Sequence, residues 1–98
     1  MKEINAETVV EKLANNEKVN IIDVREDFEI EAGKIPQAKH IPLGEIEERT
    51  DELDKNEHYY MVCRSGARSA NASAVLEEKG FNVTNMTGGM LAWTGEIE

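Results

Sequence analysis

Cysteine, proline and aromatic residues are scarce in this chain of 98 residues, which contains one cysteine, two prolines and 5% aromatic residues. A single cysteine excludes a disulfide within the chain, and the segment that begins at Met1 has no apolar signal region. Both features indicate a reducing, cytoplasmic setting. No apolar run approaches the roughly eighteen residues that span a membrane, so we expect no membrane association.

Basic residues are also few, with 11 against 20 acidic residues and a net charge of −9. Nucleic-acid binding needs clusters of basic residues that neutralise phosphates, and the sequence has none, so we expect no nucleic-acid partner. Such a protein repels a small anion at long range. Screening over about 8 Å at physiological salt nevertheless lets a local pair of arginines outweigh distant carboxylates.

Hydrophobic residues make up 40% of the chain, which suits one folded core and a single domain over residues 1–98. Apolar runs typical of strands alternate with helical patterns, and no repeat or linker interrupts them. This order predicts an α/β fold with a small central parallel sheet and helices on both faces. The first expected strand ends near Ile4. The others cover 19–24, a short piece around 41, 58–62 and 82–86.

Four helices are predicted. Asn5 is the predicted N-cap of a helix over 6–15, and apolar spacings of three and seven suit one helical face in 43–53. A helix starting near Arg68 is expected to end at Gly80, with Phe81 completing a Schellman motif. We expect this helix to pack on the sheet through a stripe of small residues, Ala67, Ala70 and Ala74, and expect Ala92 and Trp93 of a terminal helix in the core.

The only cysteine lies in the segment Cys63–Ser69, between the apolar run 59–62 and the following helix. Open α/β sheets place their chemistry at this kind of strand-to-helix turn. The helix start and a turn containing Gly66 can direct several N–H groups at one point and form an anion-binding cup. Arg64 and Arg68 add positive charge, which favours the thiolate and predicts that Cys63 is a nucleophile.

Each candidate residue has a plainer interpretation. In the plainer interpretation Cys63 is a small buried hydrophobic residue, but this explains neither Gly66 nor the two arginines of the loop. Asp23 and Arg25 either reach the cup or hold loops together, and we favour the second. His40 is either a general base or a hydrogen bonder that fixes a loop, and again we favour the second. His58 has no metal-type spacing to His40 or Cys63, so we expect no metal and no cofactor.

Several motifs occur in a fixed order along the chain: Ile22-Asp23-Val24-Arg25-Glu26, Gly33-x-Ile35-Pro36-x-Ala38-x-His40-Ile41-Pro42, Cys63-Arg64-Ser65-Gly66-Ala67-Arg68-Ser69, Gly80-Phe81 and Gly88-Gly89-x-x-x-Trp93. Together they resemble one family, the rhodanese family in its single-domain form. Lys34 and Gln37 stand where His and Gly are common in that family, which affects the loop around them and not the cysteine loop.

The resemblance implies a rhodanese-like fold and a sulfurtransferase. Cys63 would take sulfane sulfur from a small anionic donor such as thiosulfate or polysulfide, or from a protein persulfide, and would pass it to cyanide, a thiol or a protein acceptor. Backbone N–H groups would stabilise the persulfide, and Arg64 and Arg68 would orient the donor. The hydroxyls of Ser65 and Ser69 would donate to the persulfide or cap the helix. The substrate-binding residues implied are Arg64, Ser65, Gly66, Ala67, Arg68 and Ser69.

Two other functions remain open. A cysteine phosphatase or arsenate reductase has five residues between its cysteine and arginine, whereas four separate Cys63 from Arg68. The shorter loop gives a smaller cup, and no residue stands out as the acid that a phosphatase needs. A non-catalytic module would use the same fold to bind a partner. The cysteine argues against this, although a fold alone never establishes turnover.

Overall fold

The computed structural model describes residues 1–98 and contains one sheet of five strands, all parallel. The strands are β1 (Lys2–Asn5), β2 (Ile21–Asp23), β3 (Ala38–His40), β4 (His58–Val62) and β5 (Asn82–Thr87), in the order β1-β5-β4-β2-β3. The α-helices are α1 (Ala6–Ala14), α2 (Asp27–Glu31) and α3 (Ala67–Glu78). Single 3₁₀ turns cover Leu43–Glu45, Thr50–Glu52 and Gly89–Ala92.

Alternate residues of the strands enter two separate cores, because successive side chains of a strand point to opposite faces. Ile22 and Met61 pack with α3 through Leu76, whereas their neighbours Ile21 and Val62 belong to the core that contains Val9 of α1. The predicted α/β fold, with a parallel sheet and helices on both faces, is therefore confirmed. No helix combines the length and the apolar composition needed to cross a membrane.

The ends of α1 and α3 agree with their predicted caps. The Asn5 side chain accepts the N–H of Thr8 at 2.8 Å, as expected of an N-cap. Gly80 has φ +93°, and its N–H donates to Glu77 while that of Phe81 donates to Leu76. This is the Schellman pattern.

The packing face of α3 was wrongly predicted. Ala67 and Ala74 are exposed and Ala70 is only half-buried, whereas the buried residues are Ser69, Ala72, Ser73 and Leu76. The one large apolar side chain in the helix, Leu76, decides which face turns inward. Serine can line this face because its hydroxyl finds a backbone partner, as Ser73 Oγ does by donating to the Ser69 carbonyl at 2.8 Å.

Other segments also differ from expectation. Paired strand is limited to Ile21–Asp23 within the predicted range 19–24. The single helical face in 43–53 is replaced by two 3₁₀ turns, because Ile46 is the only fully buried apolar anchor there and a continuous helix needs more packing. Trp93 is buried as expected, whereas Ala92 is exposed.

The register brings the ends of β2 and β4 together. Asp23 lies opposite Val62, and the Val24 N–H donates to the Val62 carbonyl at 2.8 Å. The segment that follows β2 therefore leaves the sheet beside Cys63, which follows β4. This edge of the sheet, formed by strand carboxyl ends, holds the candidate site.

Candidate active site

The loop after β4 is held in place by the chain that follows β5. The Cys63 carbonyl accepts the Met90 N–H at 2.9 Å, and the Arg64 carbonyl accepts the Leu91 N–H at 3.0 Å. Gly89 makes this approach possible, since a Cβ there would lie 2.5 Å from both carbonyl oxygens. The glycine therefore allows two backbone segments to meet and fixes the start of the cysteine loop.

The Cys63 sulfur is enclosed and accepts two hydrogen bonds. The residue is 1% exposed, and its Sγ accepts the Gly66 N–H at 3.0 Å and the Ser69 hydroxyl at 3.3 Å. Burial raises the pKa of the thiol, but the Ser69 hydroxyl and the N–H groups of Ser69, Gly66 and Ser65 outweigh it, so the pKa lies below its ordinary value. The loop thus favours a thiolate.

The Gly66 carbonyl fixes the other side of this loop. Gly66 caps the start of α3 with φ +107°, a conformation that favours glycine. Its carbonyl accepts the Ala70 N–H at 3.1 Å and the Asn85 side-chain amide at 3.2 Å, and it lies 3.2 Å from the Ser69 hydroxyl oxygen, whose single proton is shared with Cys63 Sγ. Gly66, whose N–H donates to the Cys63 sulfur, is therefore also held in place through its carbonyl.

Asn85 was not predicted as part of the site. It lies on β5, is 3% exposed, and its Oδ1 has no hydrogen-bond partner. The available signal was a polar residue within an otherwise buried strand, since buried polar side chains usually serve a specific hydrogen bond. Its amide links the neighbouring strand to the cysteine loop.

The two arginines of the loop have different surroundings. Both terminal nitrogens of Arg68 donate to the Glu29 carboxylate, at 2.6 and 2.8 Å. This pair raises the pKa of Arg68, with a smaller contribution from the Cys63 charge, and lowers the pKa of Glu29 to about 2. The Arg64 side chain is exposed and makes no hydrogen bond or ion pair. Of the two arginines in the loop, only Arg64 therefore has an unpaired guanidinium.

Glu29 was also missed from the sequence. It lies in α2, which has no buried residue and therefore leaves no apolar periodicity. The Glu26 N–H donates to the Glu29 side chain at 3.0 Å in a capping box. That spacing of two glutamates was the one signal of a helix start.

Asp23, Arg25 and His40 hold the surrounding loops. Arg25 forms a buried fork with Asp23, with contacts of 2.9 to 3.1 Å, and also donates to the Gly33 carbonyl at 2.9 Å. A His40 ring nitrogen bonds the Arg25 carbonyl at 2.6 Å. These are the loop-fixing contacts that we favoured over a direct role in the cup.

Other predicted side chains lie farther from the sulfur. The Ser65 hydroxyl makes no hydrogen bond, and Ala67 is exposed at the start of α3. His58 begins β4, at the end of that strand opposite Cys63, and its ring bonds Thr84 at 2.7 Å. Of the seven predicted loop residues, Cys63, Gly66 and Ser69 are thus in direct contact. No group of three or more His, Cys, Asp or Glu side chains is arranged to hold a metal ion.

The family model of the rhodanese-like domain matches residues 6–96. The chain belongs to this family. The resemblance inferred from the motifs is therefore confirmed, and the cysteine loop occupies the strand-to-helix turn of a rhodanese-like domain.

Individual members of the family are closely similar to this rhodanese-like domain. A Bacillus subtilis protein named "Putative sulfurtransferase YtwF" is 48% identical over the whole of this chain and 95% of its own. Another, "Putative sulfur carrier protein YrkF", is 44% identical over 98% of this chain and 52% of its own. A crystal structure of a rhodanese-like domain protein from Staphylococcus aureus superposes with a TM-score of 0.94 at 42% identity, covering 100% of this chain and 97% of the other. These similarities support a sulfurtransferase role.

Proposed function

We propose that this rhodanese-like domain transfers sulfane sulfur through a persulfide on Cys63. The thiolate attacks the outer sulfur of a donor such as thiosulfate and forms a new S–S bond. The S–S bond of the donor breaks, and sulfite leaves with the electron pair. A thiophilic acceptor such as cyanide or a thiol then attacks the terminal sulfur and releases the thiolate, as in covalent catalysis.

The observation that carries the proposal is the pair of donors on the Cys63 sulfur. The Gly66 N–H and the Ser69 hydroxyl both point at Sγ, and the pKa of the thiol is lowered by these groups and by the other N–H groups of the loop against the effect of burial. A persulfide is also an anion, and its outer sulfur lies only about 2 Å beyond Sγ. Donors that stabilise the thiolate are therefore placed to stabilise the intermediate.

Donor and acceptor are proposed as classes. Thiosulfate or polysulfide would approach as a small anion, and Arg64, with its unpaired side chain, is the residue that would orient it. The similarity to a protein named as a sulfur carrier supports a protein-borne persulfide as an alternative donor or acceptor. The domain itself supplies the nucleophile, so the reaction needs no cofactor.

The loop disfavours phosphate-ester chemistry. The second arginine of the loop, Arg68, is bound at both terminal nitrogens by Glu29, whereas a phosphatase would need it to hold a phosphate. Four residues between Cys63 and Arg68 also give a narrower cup than five. A binding module without turnover is distinguished from the sulfurtransferase by the following experiment.

Intact-protein mass spectrometry after brief incubation with thiosulfate, and again after addition of cyanide, tests the proposal. We expect the mass of one sulfur atom to be gained and then lost, and we expect Cys63→Ser to gain nothing because oxygen cannot form the persulfide. Polysulfide serves as a second donor. A wild-type protein that alkylates at Cys63 but gains no sulfur from either donor would contradict the proposed reaction and favour the binding module.

A further inference from the structure

Glu29 is held in a fixed position beside the cysteine loop. Its carboxylate accepts both terminal nitrogens of Arg68, and Oε1 also accepts the Glu26 N–H at 3.0 Å. The Glu29 side chain is 14% exposed against 35% for that of Arg68. The carboxylate is therefore the more enclosed partner and is anchored by its own helix start.

This ion pair changes the charge that a donor meets. The guanidinium of Arg68 lies close enough to Cys63 for the thiolate to raise its pKa, yet Glu29 neutralises it. A donor that meets this closed pair therefore gains no net positive charge from Arg68.

We propose that Glu29 is a specificity-determining residue, which keeps Arg68 in a closed ion pair and selects against donors of high negative charge. Thiosulfate carries two negative charges, whereas an organic thiosulfonate carries one and transfers its outer sulfur in the same way, with a sulfinate as leaving group. The second charge of thiosulfate makes its repulsion by Glu29 about twice as large. This inference rests on the proposed sulfurtransferase function and names the donor class that its site prefers.

The decisive comparison is Glu29→Gln against Glu31→Gln, two variants with the same change in net charge on the same helix. Glu31 is exposed and makes no side-chain hydrogen bond or ion pair, so it is the matched control. We expect Glu29→Gln to raise kcat/KM for thiosulfate, relative to benzenethiosulfonate, by roughly two- to fivefold, as expected for a partly exposed charge. Glu31→Gln should leave this ratio unchanged.

Alkylation of Cys63 supplies a readout that does not depend on sulfur transfer. The ratio of the rate with iodoacetate, an anion, to the rate with neutral iodoacetamide reports the charge around the sulfur. We expect Glu29→Gln to raise this ratio by a similar factor, with a smaller effect at high salt. A second substitution, Arg68→Gln, should return the ratio toward the wild-type value because it removes the guanidinium that the first variant released.

The outcomes separate the two proposals. Equal ratios for Glu29→Gln and Glu31→Gln would overturn the role of Glu29, and so would an equal fall with both donors, which is the result of a merely structural role. If the alkylation ratio rises while the wild-type protein gains no sulfur from any donor, the proposed function fails and the electrostatic role stands. Glu29→Ala, which removes the same charge, should also raise the ratio and serves if the glutamine variant does not fold.

Discussion

Cys63 depends on groups supplied by the start of the following helix. Its sulfur is buried, which by itself opposes ionisation, and the Ser69 hydroxyl and the loop N–H groups reverse that effect. Arg64 and Arg68 occupy similar positions in the sequence, but Glu29 binds only one of them. At the scale of single residues, hydrogen bonds therefore control the thiolate more directly than formal charge does.

Ser69→Ala should raise the pKa of Cys63 because a donor to the thiolate is removed. We expect the midpoint of the pH dependence of iodoacetamide alkylation to move up by about one pH unit, since a hydrogen bond to a charged group contributes about 1.5 kcal/mol or more. Stopped-flow alkylation across the pH range measures this shift. Ser73→Ala is the control, because its hydroxyl is buried on the same face of α3 but donates to the Ser69 carbonyl. Equal midpoints in both variants would contradict the role of Ser69.

At the scale of elements, the site is the meeting point of three chain segments at the carboxyl edge of the sheet. The 3₁₀ turn over Gly89–Ala92 bonds the start of the cysteine loop, and Asn85 of β5 bonds its end. Helix α2 closes the remaining side through Glu29. The buried pair of Asp23 and Arg25 joins the end of β2 to the Gly33 carbonyl, just beyond α2.

Arg25→Met should destabilise the fold strongly because it leaves the Asp23 carboxylate buried without its partner. Asp23 is 0% exposed and Arg25 is 6% exposed, and breaking a buried pair in this way costs about 3 to 5 kcal/mol. Urea denaturation measures the free energy of unfolding. Arg49→Met is the comparison, since Arg49 pairs with Glu45 and Glu52 on the surface and such exposed pairs contribute little to stability. Equal losses in the two variants would show that the buried pair has no special role.

At the scale of the whole molecule, the net charge of −9 acts on every anionic reactant. The molecule measures 31 × 29 × 20 Å. At about 0.01 M salt the Debye length is about 30 Å, so all surface carboxylates repel an approaching anion, whereas at about 0.15 M only charges within about 8 Å matter. As salt rises, nearby charges such as that of Arg64 therefore gain influence relative to the distant carboxylates.

Raising salt from about 0.01 M to 0.15 M should increase the rate at which iodoacetate alkylates Cys63 by about twofold, because screening removes long-range repulsion. The rate with neutral iodoacetamide, measured in the same buffers, should stay constant and provides the control. A fall in the iodoacetate rate over this range would mean that the loop cations dominate even at long range.

The order of the strands, the parallel sheet, the caps of α1 and α3 and the cysteine loop were readable from the sequence, because each depends on neighbouring residues. An N-cap such as Asn5, a Schellman glycine such as Gly80 and a β-branched run act within a few positions of the chain. The motif Cys63–Ser69 likewise specifies its own turn. The family resemblance followed from the same local motifs.

Only the tertiary structure decided which distant residues complete the site. Glu29 and Asn85 lie 39 and 19 positions from their partners Arg68 and Gly66, so no local pattern joins them. The inward face of α3 was decided in the same way, since burial of Leu76 against the sheet turned Ser69 toward the sulfur and left Ala67 and Ala74 outside. The burial of side chains and their contacts with residues distant in sequence arise only when helices and strands pack together. The groups that surround Cys63 are therefore set by the tertiary structure.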